Sequence, residues 1–176
     1  MSEKKIRVAI IGVGNCASSL VQGIEYYKNA AEDASVPGLM HVNLGGYHIR
    51  DIEFTLGIDI NVTKVGKDLA EAIYAEPNNT YKFCDVPKLN VPMVRGMTHD
   101  GLGKYLSHVI TKAPGPTADI VKLLKVTKTD VVVSYLPDQS SDPPPISSKP
   151  RPSNSWMTSA ATKLRPSSKP RNKYHL

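Results

Sequence analysis

Ile6-Arg7-Val8-Ala9-Ile10-Ile11-Gly12-Val13-Gly14-Asn15-Cys16-Ala17 is the stretch on which the fold turns. Ile6 to Ile11 is an apolar run broken only by Arg7, the pattern of a strand buried on both faces of a parallel sheet. It stops at Gly12. From Asn15 to about Glu32, Ala17, Leu20, Val21, Ile24 and Tyr27 recur near helical spacing, with no proline before Pro37. Strand, glycine turn and helix follow one another directly, which predicts the opening of an α/β domain.

A turn of this kind has a chemistry. Its first glycine closes the bend, its second lets backbone approach a pyrophosphate, and a third small residue lets the helix pack closely on the strand. Gly12, Gly14 and Ala17 hold those positions. A helix starting near Asn15 points its free N–H groups and the positive end of its dipole at the pyrophosphate, so no basic side chain is needed. Asp59 ends the next expected strand, where a carboxylate accepts hydrogen bonds from the adenosine ribose hydroxyls and disfavours the extra phosphate of NADP. The expected cofactor is therefore NAD. Asp59 lies 45 residues beyond Gly14, where about 20 is common, so an inserted loop must hold the excess. A solvated turn residue at a strand end is the plainer reading of Asp59.

Working outward, residues 36–51 carry Pro37-Gly38, Gly45-Gly46, His48, Arg50 and Asp51 and read as a long surface loop. The second strand is expected over 52–60 and a helix over 62–75, with Val65, Leu69, Ala72 and Ile73 on one face. Residues 81–116 are punctuated by prolines and glycines and leave room for short elements, among them a strand over 91–95. A helix over 117–127 follows, with Pro116 at its start and Asp119 in its first turn, and then a third strand of the parallel type over 130–136.

After Pro137 the composition changes abruptly: the last 39 residues hold nine serines and seven prolines and almost no aliphatic side chains, too little to form a core. The expected organisation is an incomplete Rossmann-type domain over 1–137 and a disordered Ser/Pro/Lys-rich tail over 138–176. The tail also holds seven of the 22 basic residues and only two of the 16 acidic ones. The body is thus nearly neutral, which argues against a nucleic-acid partner. Aromatic residues in the tail are limited to Trp156 and Tyr174, too few for a stacking platform. The apolar run after Met1 is too short to span a membrane and lacks a cleavage site, so no membrane association is expected.

Cys16 and Cys84 are unclustered, which fits a reducing, cytoplasmic setting and neither a disulfide framework nor a metal site. Cys16 reads as a packing residue, not a nucleophile, because no motif supplies it with a base. His41, His48 and His108 lack metal-ligand spacing and read as solvated loop residues, and the neighbours His99 and Asp100 point to different faces of a helix or strand. No catalytic residue and no metal ligand is assigned. Asn61-Val62-Thr63 and Asn78-Asn79-Thr80 match the glycosylation pattern but have no secretory signal before them.

Four stretches together resemble myo-inositol-phosphate synthase (inositol-3-phosphate synthase) of the bacterial and archaeal type. They are Val8 through the glycine turn to Ser18-Ser19-Leu20; Gly57-Ile58-Asp59 with Val65-Gly66-Lys67-Asp68-Leu69; Arg95-Gly96-Met97-Thr98-His99-Asp100-Gly101-Leu102-Gly103-Lys104-Tyr105; and Val132-Val133-Ser134-Tyr135-Leu136-Pro137. The resemblance covers residues 6 to 137, the N-terminal portion of the family, and stops where its sheet would continue. The switch has the look of a reading-frame change or a misjoined gene.

The resemblance implies an isomerase of inositol and phospholipid biosynthesis that cyclises glucose 6-phosphate to inositol 3-phosphate, with bound NAD reduced and reoxidised in one cycle. It implies that Gly12, Val13, Gly14, Asn15 and Cys16 line the pyrophosphate, Asp59 the ribose, and Ser134, Leu136 and Pro137 the nicotinamide. The family's catalytic lysines lie in the second half of the full-length protein, as do most of its homo-oligomer surfaces. A truncated and inactive form is therefore expected. The alternatives are a non-catalytic NAD-binding module and a fragment of a different NAD-dependent dehydrogenase.

Overall fold

A computed structural model describes residues 5–98 and 107–136, all within one compact unit, Met1–Asp138. Pro137, the pair His99 and Asp100, and the expected disordered tail over 138–176 lie outside the described residues. The elements are β1 (Ile6–Ile11), α1 (Asn15–Tyr27), the short strands β2 (Asn43–Leu44) and β3 (Tyr47–His48), a single 3-10 turn (Ile49–Asp51), β4 (Ile52–Asp59), α2 (Leu69–Ala72), β5 (Met93–Arg95), α3 (Ile120–Val126) and β6 (Val131–Ser134).

Four strands form one parallel sheet in the order β5, β4, β1, β6. The apolar run of β1 explains its central place: Ala9 and Ile10 are fully buried, and both neighbours bond to it. Ile10 and Val13 pack with Val21 of α1 and with Leu69 and Ile73 in one apolar core. From β1 the chain builds outward through β4 to β5, then crosses back to lay β6 on the other side of β1. The order therefore reverses at β1. In open parallel sheets the crevice beyond the carboxyl ends of the strands at such a reversal is where ligands bind, and the glycine turn sits there. At the far edge Gly57 lets β5 approach, since a Cβ on it would lie 2.2 Å from Met93 Sδ.

Several elements differ from expectation, each for a local reason. α1 ends at Tyr27, not near Glu32: Ala30 N–H bonds back to the Tyr27 carbonyl in a tight turn, and the Ala30 carbonyl accepts from His48 Nε2 at 2.9 Å. His48 is consequently buried, not a solvated loop residue; its Nδ1 accepts from Arg50 N–H while Asp51 accepts from His48 N–H, a reciprocal cap. The long loop over 36–51 thus contains the β2–β3 hairpin and this capped turn, packed against α1.

The helix expected over 62–75 shrinks to four residues. Asn61 turns its side chain onto its own backbone, accepting from Thr63 N–H, and Gly66 sits at φ +86°. Asn61 thus caps a single turn, its carbonyl accepting from Val65 N–H at 3.0 Å, and the left-handed Gly66 ends it; helix resumes only at Asp68, which caps Ala70 N–H. Asp119 likewise caps α3 by accepting from Lys122 N–H instead of lying inside its first turn, which moves that helix start beyond Pro116 and Thr117.

Candidate functional site

The site is built at the carboxyl ends of β1, β4 and β6. Gly12 takes φ +81°, a left-handed conformation that suits glycine, and its N–H bonds to the Ile58 carbonyl at 2.9 Å. A Cβ there would stand 3.0 Å from Leu136 Cδ2 and 3.5 Å from the Leu136 nitrogen, so the segment just after β6 and the turn are in close contact. Gly14 is different: its φ of −91° is open to any residue, and a Cβ on it would meet nothing within 4 Å. It is the N-cap of α1 and has no side chain to bond the first-turn amides, which leaves those donors without an intrahelical partner. Ala17 is fully buried beneath, as close helix packing requires.

Asp59 is brought to the turn, but its carboxylate faces protein. Oδ2 accepts from Val13 N–H at 2.9 Å, and Oδ1 accepts from Ile60 N–H at 2.7 Å and Asn61 N–H at 3.0 Å. Lys64 Nζ lies 3.9 Å from Oδ2. Three backbone donors and a cation occupy most of the acceptor capacity of one carboxylate. Asp59 is neither the solvated turn residue nor a side chain wholly free for a ribose; it holds the glycine turn.

Lys64 carries no motif that marks it in the sequence. It is 4% exposed, and its ammonium donates to the Val13 carbonyl at 2.7 Å and to Asn78 Oδ1 at 2.8 Å. Burial pushes its pKa below the ordinary 10.5, and Asp59 opposes that shift. Asn78 Nδ2 donates to the same Val13 carbonyl at 3.1 Å and to the Ile73 carbonyl at 3.0 Å. The next two residues hold the start of α1: Asn79 Oδ1 accepts from Asn15 Nδ2 at 2.7 Å, Asn79 N–H donates to Asn15 Oδ1 at 2.9 Å, and Thr80 Oγ1 donates to that oxygen at 2.9 Å. Asn78-Asn79-Thr80, which reads in sequence as a glycosylation pattern, is a strut beneath the turn. Its amides are occupied internally.

The remaining expected site residues fall around this frame. Cys16 is exposed in the first turn of α1, so it is not the packing residue expected. It lies near Tyr135, whose hydroxyl is pushed up by burial and, secondarily, by Cys16. Ser134 ends β6 opposite Ile11, exposed, and its Oγ accepts from Leu136 N–H at 3.4 Å. Leu136 lies against Gly12. Arg95 Nε donates to the Ala113 carbonyl and Nη1 to Thr117 Oγ1, tying β5 to the approach of α3. Among the described residues no group of three or more His, Cys, Asp or Glu could hold a metal, and no helix is long and apolar enough to cross a membrane.

Comparison with known proteins gives this geometry a lineage. The chain is 56% identical over 133 residues to inositol-3-phosphate synthase of Mycolicibacterium smegmatis, 54% over 133 residues to that of Mycobacterium tuberculosis and 51% over 137 residues to that of Corynebacterium glutamicum. These alignments cover 76–78% of this chain and 36–38% of the relatives, so the chain spans little more than a third of the length of the proteins it matches. Among solved structures, the crystal structure of Ari2 superposes with a TM-score of 0.59 at 30% identity, covering 76% of this chain and 38% of that one. A myo-inositol-1-phosphate synthase-related protein from Thermotoga maritima gives 0.51 at 22% identity over 74% and 34%, a likeness of fold. No family model matches. The chain is thus a partial homologue of inositol-3-phosphate synthases with an α/β parallel-sheet fold.

Proposed function

We propose that this chain is the dinucleotide-binding part of an inositol-3-phosphate synthase and holds NAD against the Gly12–Gly14 turn. The carrying observation is the empty space at Gly14 beside the uncapped first turn of α1, at the point where the strand order reverses. NAD fits these residues. Gly14 admits a pyrophosphate where a Cβ would stand, and the amides at the start of α1 and the helix dipole favour its charge. Asp59 keeps a lone pair at most for the ribose, so its main contribution is to hold Val13 N–H and with it the turn. Ser134 and Leu136, at the end of β6, flank the turn where the nicotinamide half would run.

When bound, NAD supplies a reversible hydride acceptor. The protein's part is to fix the cofactor and exclude competing reactions. On this reading glucose 6-phosphate is the substrate of the full-length relatives and not of this chain alone, because the resemblance places the family's catalytic lysines beyond the matched stretch. Titration calorimetry of NAD into the purified 176-residue chain is expected to give saturable binding at one site. The same preparation, given glucose 6-phosphate and NAD, is expected to form no inositol phosphate. Product above background would overturn the inactive reading, and a folded chain that takes up no NAD would overturn the dinucleotide reading.

A further inference from the structure

Both backbone polar groups of Val13 are held by side chains from other segments, one of them the buried Lys64. The Val13 N–H donates to Asp59, and its carbonyl accepts from both Lys64 Nζ and Asn78 Nδ2. Two donors on one carbonyl, one of them a buried ammonium 51 residues away in sequence, are more than a tight turn requires. A planar trans peptide sets the carbonyl of one residue antiparallel to the N–H of the next. Fixing the Val13 carbonyl toward Lys64 and Asn78 therefore points the Gly14 N–H the other way, out of the core. A cation on the carbonyl also polarises the peptide and makes that N–H a stronger donor.

We propose that Lys64 is a positioning residue for the dinucleotide pyrophosphate, acting through the Val13 carbonyl to aim and strengthen the Gly14 N–H without touching the ligand. Asn78 shares the carbonyl and fixes the ammonium. Asp59 completes the arrangement by balancing the buried charge at 3.9 Å, so that neither ion stands alone beneath the anion site. A turn commonly described by its glycines alone thus has a charged support, and the support is specific to the phosphate end of the ligand.

The inference rests on the NAD reading above and separates from it experimentally. The full 176-residue chain and its Lys64→Met variant are titrated with NADH, followed by its fluorescence, and with adenosine by competition. Adenosine shares the base and ribose but has no pyrophosphate. One lost charge-assisted orientation is expected to weaken NADH binding by about tenfold and to leave adenosine affinity unchanged. Equal weakening of both ligands, or of neither, would overturn the positioning role while leaving NAD binding intact. A folded wild-type chain that binds no NADH would remove both proposals.

Should Lys64→Met not fold, Asn78→Ala keeps the ammonium and removes one of the two donors. It is expected to weaken NADH binding by about threefold and again to spare adenosine. An unchanged NADH affinity in that variant would count against the mechanism.

Discussion

Two glycines two residues apart differ in what they do. Gly12 needs its hydrogen for the backbone, because φ +81° strains any side chain and a Cβ there would crowd Leu136 Cδ2 at 3.0 Å. Gly14 needs it for the ligand, since the protein leaves that space open. Gly12→Ala is therefore expected to lower stability by about 1–2 kcal/mol, read by denaturant unfolding. Gly14→Ala should unfold like the wild type yet bind NAD at least about tenfold more weakly, from the clash of a methyl group with the pyrophosphate. A Gly14→Ala chain with full NAD affinity would place the cofactor elsewhere. The glycine spacing and the position of Asp59 are legible in sequence because both are local to strand ends. The direction in which Asp59 faces is not, for its partner Val13 is 46 residues away and only the closed sheet brings them together.

Lys64 gives the residue scale a pH dependence. Burial lowers its pKa in the folded chain below the 10.5 of an exposed lysine. Between the lowered value and 10.5 the unfolded chain binds the extra proton, so Lys64 adds stability as pH rises through that window. Below the folded value both states are protonated, and the cost of burying the ammonium is present in full. The stability of wild type relative to Lys64→Met should accordingly increase as pH rises toward 10.5, measured by urea midpoints at constant ionic strength. A difference that stays flat or falls would contradict the burial assigned to this group.

At the scale of elements, the strands of the parallel sheet are legible in sequence, whereas the β2–β3 hairpin and the helix bounds are not. β1 keeps the bounds read from its apolar run, β4 stops one residue short of the expected 52–60, and β6 covers Val131–Ser134 of the expected 130–136. The apolar spacing of Val65, Leu69, Ala72 and Ile73 suggests a long helix, but the left-handed Gly66 breaks it, and only Leu69–Ala72 is helical. Its cap does more than start it. Asp68 accepts from Ala70 N–H at 2.9 Å, from Leu89 N–H at 3.1 Å and from Val91 N–H at 3.0 Å, so one carboxylate ties the helix to the segment that delivers β5. Asp68→Ala should cost about 3 kcal/mol, more than a simple cap, because two further backbone donors lose their acceptor. Asp68→Asn, which keeps one oxygen, should lose less. Equal stability of Asp68→Ala and wild type in thermal unfolding would refute this role.

At the scale of the whole molecule, the strand order carries the functional argument. β1 lies between β4 and β6, and the glycine turn opens where the chain reverses direction across the sheet. That order is not a property of any single segment; it follows from which strands pair. The sequence resembled a synthase through four separated motifs, and the partial homology bears this out over roughly three quarters of the chain. The fold brings three of those motifs to one place: the turn, Asp59 and the end of β6. The Lys64 and Asn78 supports join them only in three dimensions, since their shared partner Val13 is more than 50 residues away in sequence from each.

The most direct measurement is residue-resolved amide hydrogen exchange of the 176-residue chain with and without saturating NAD. Slowed exchange is expected to concentrate at Gly14, Asn15 and Cys16, with little change in the β2–β3 hairpin. NAD binding that leaves those three amides unprotected, or protects them no more than the hairpin, would contradict it.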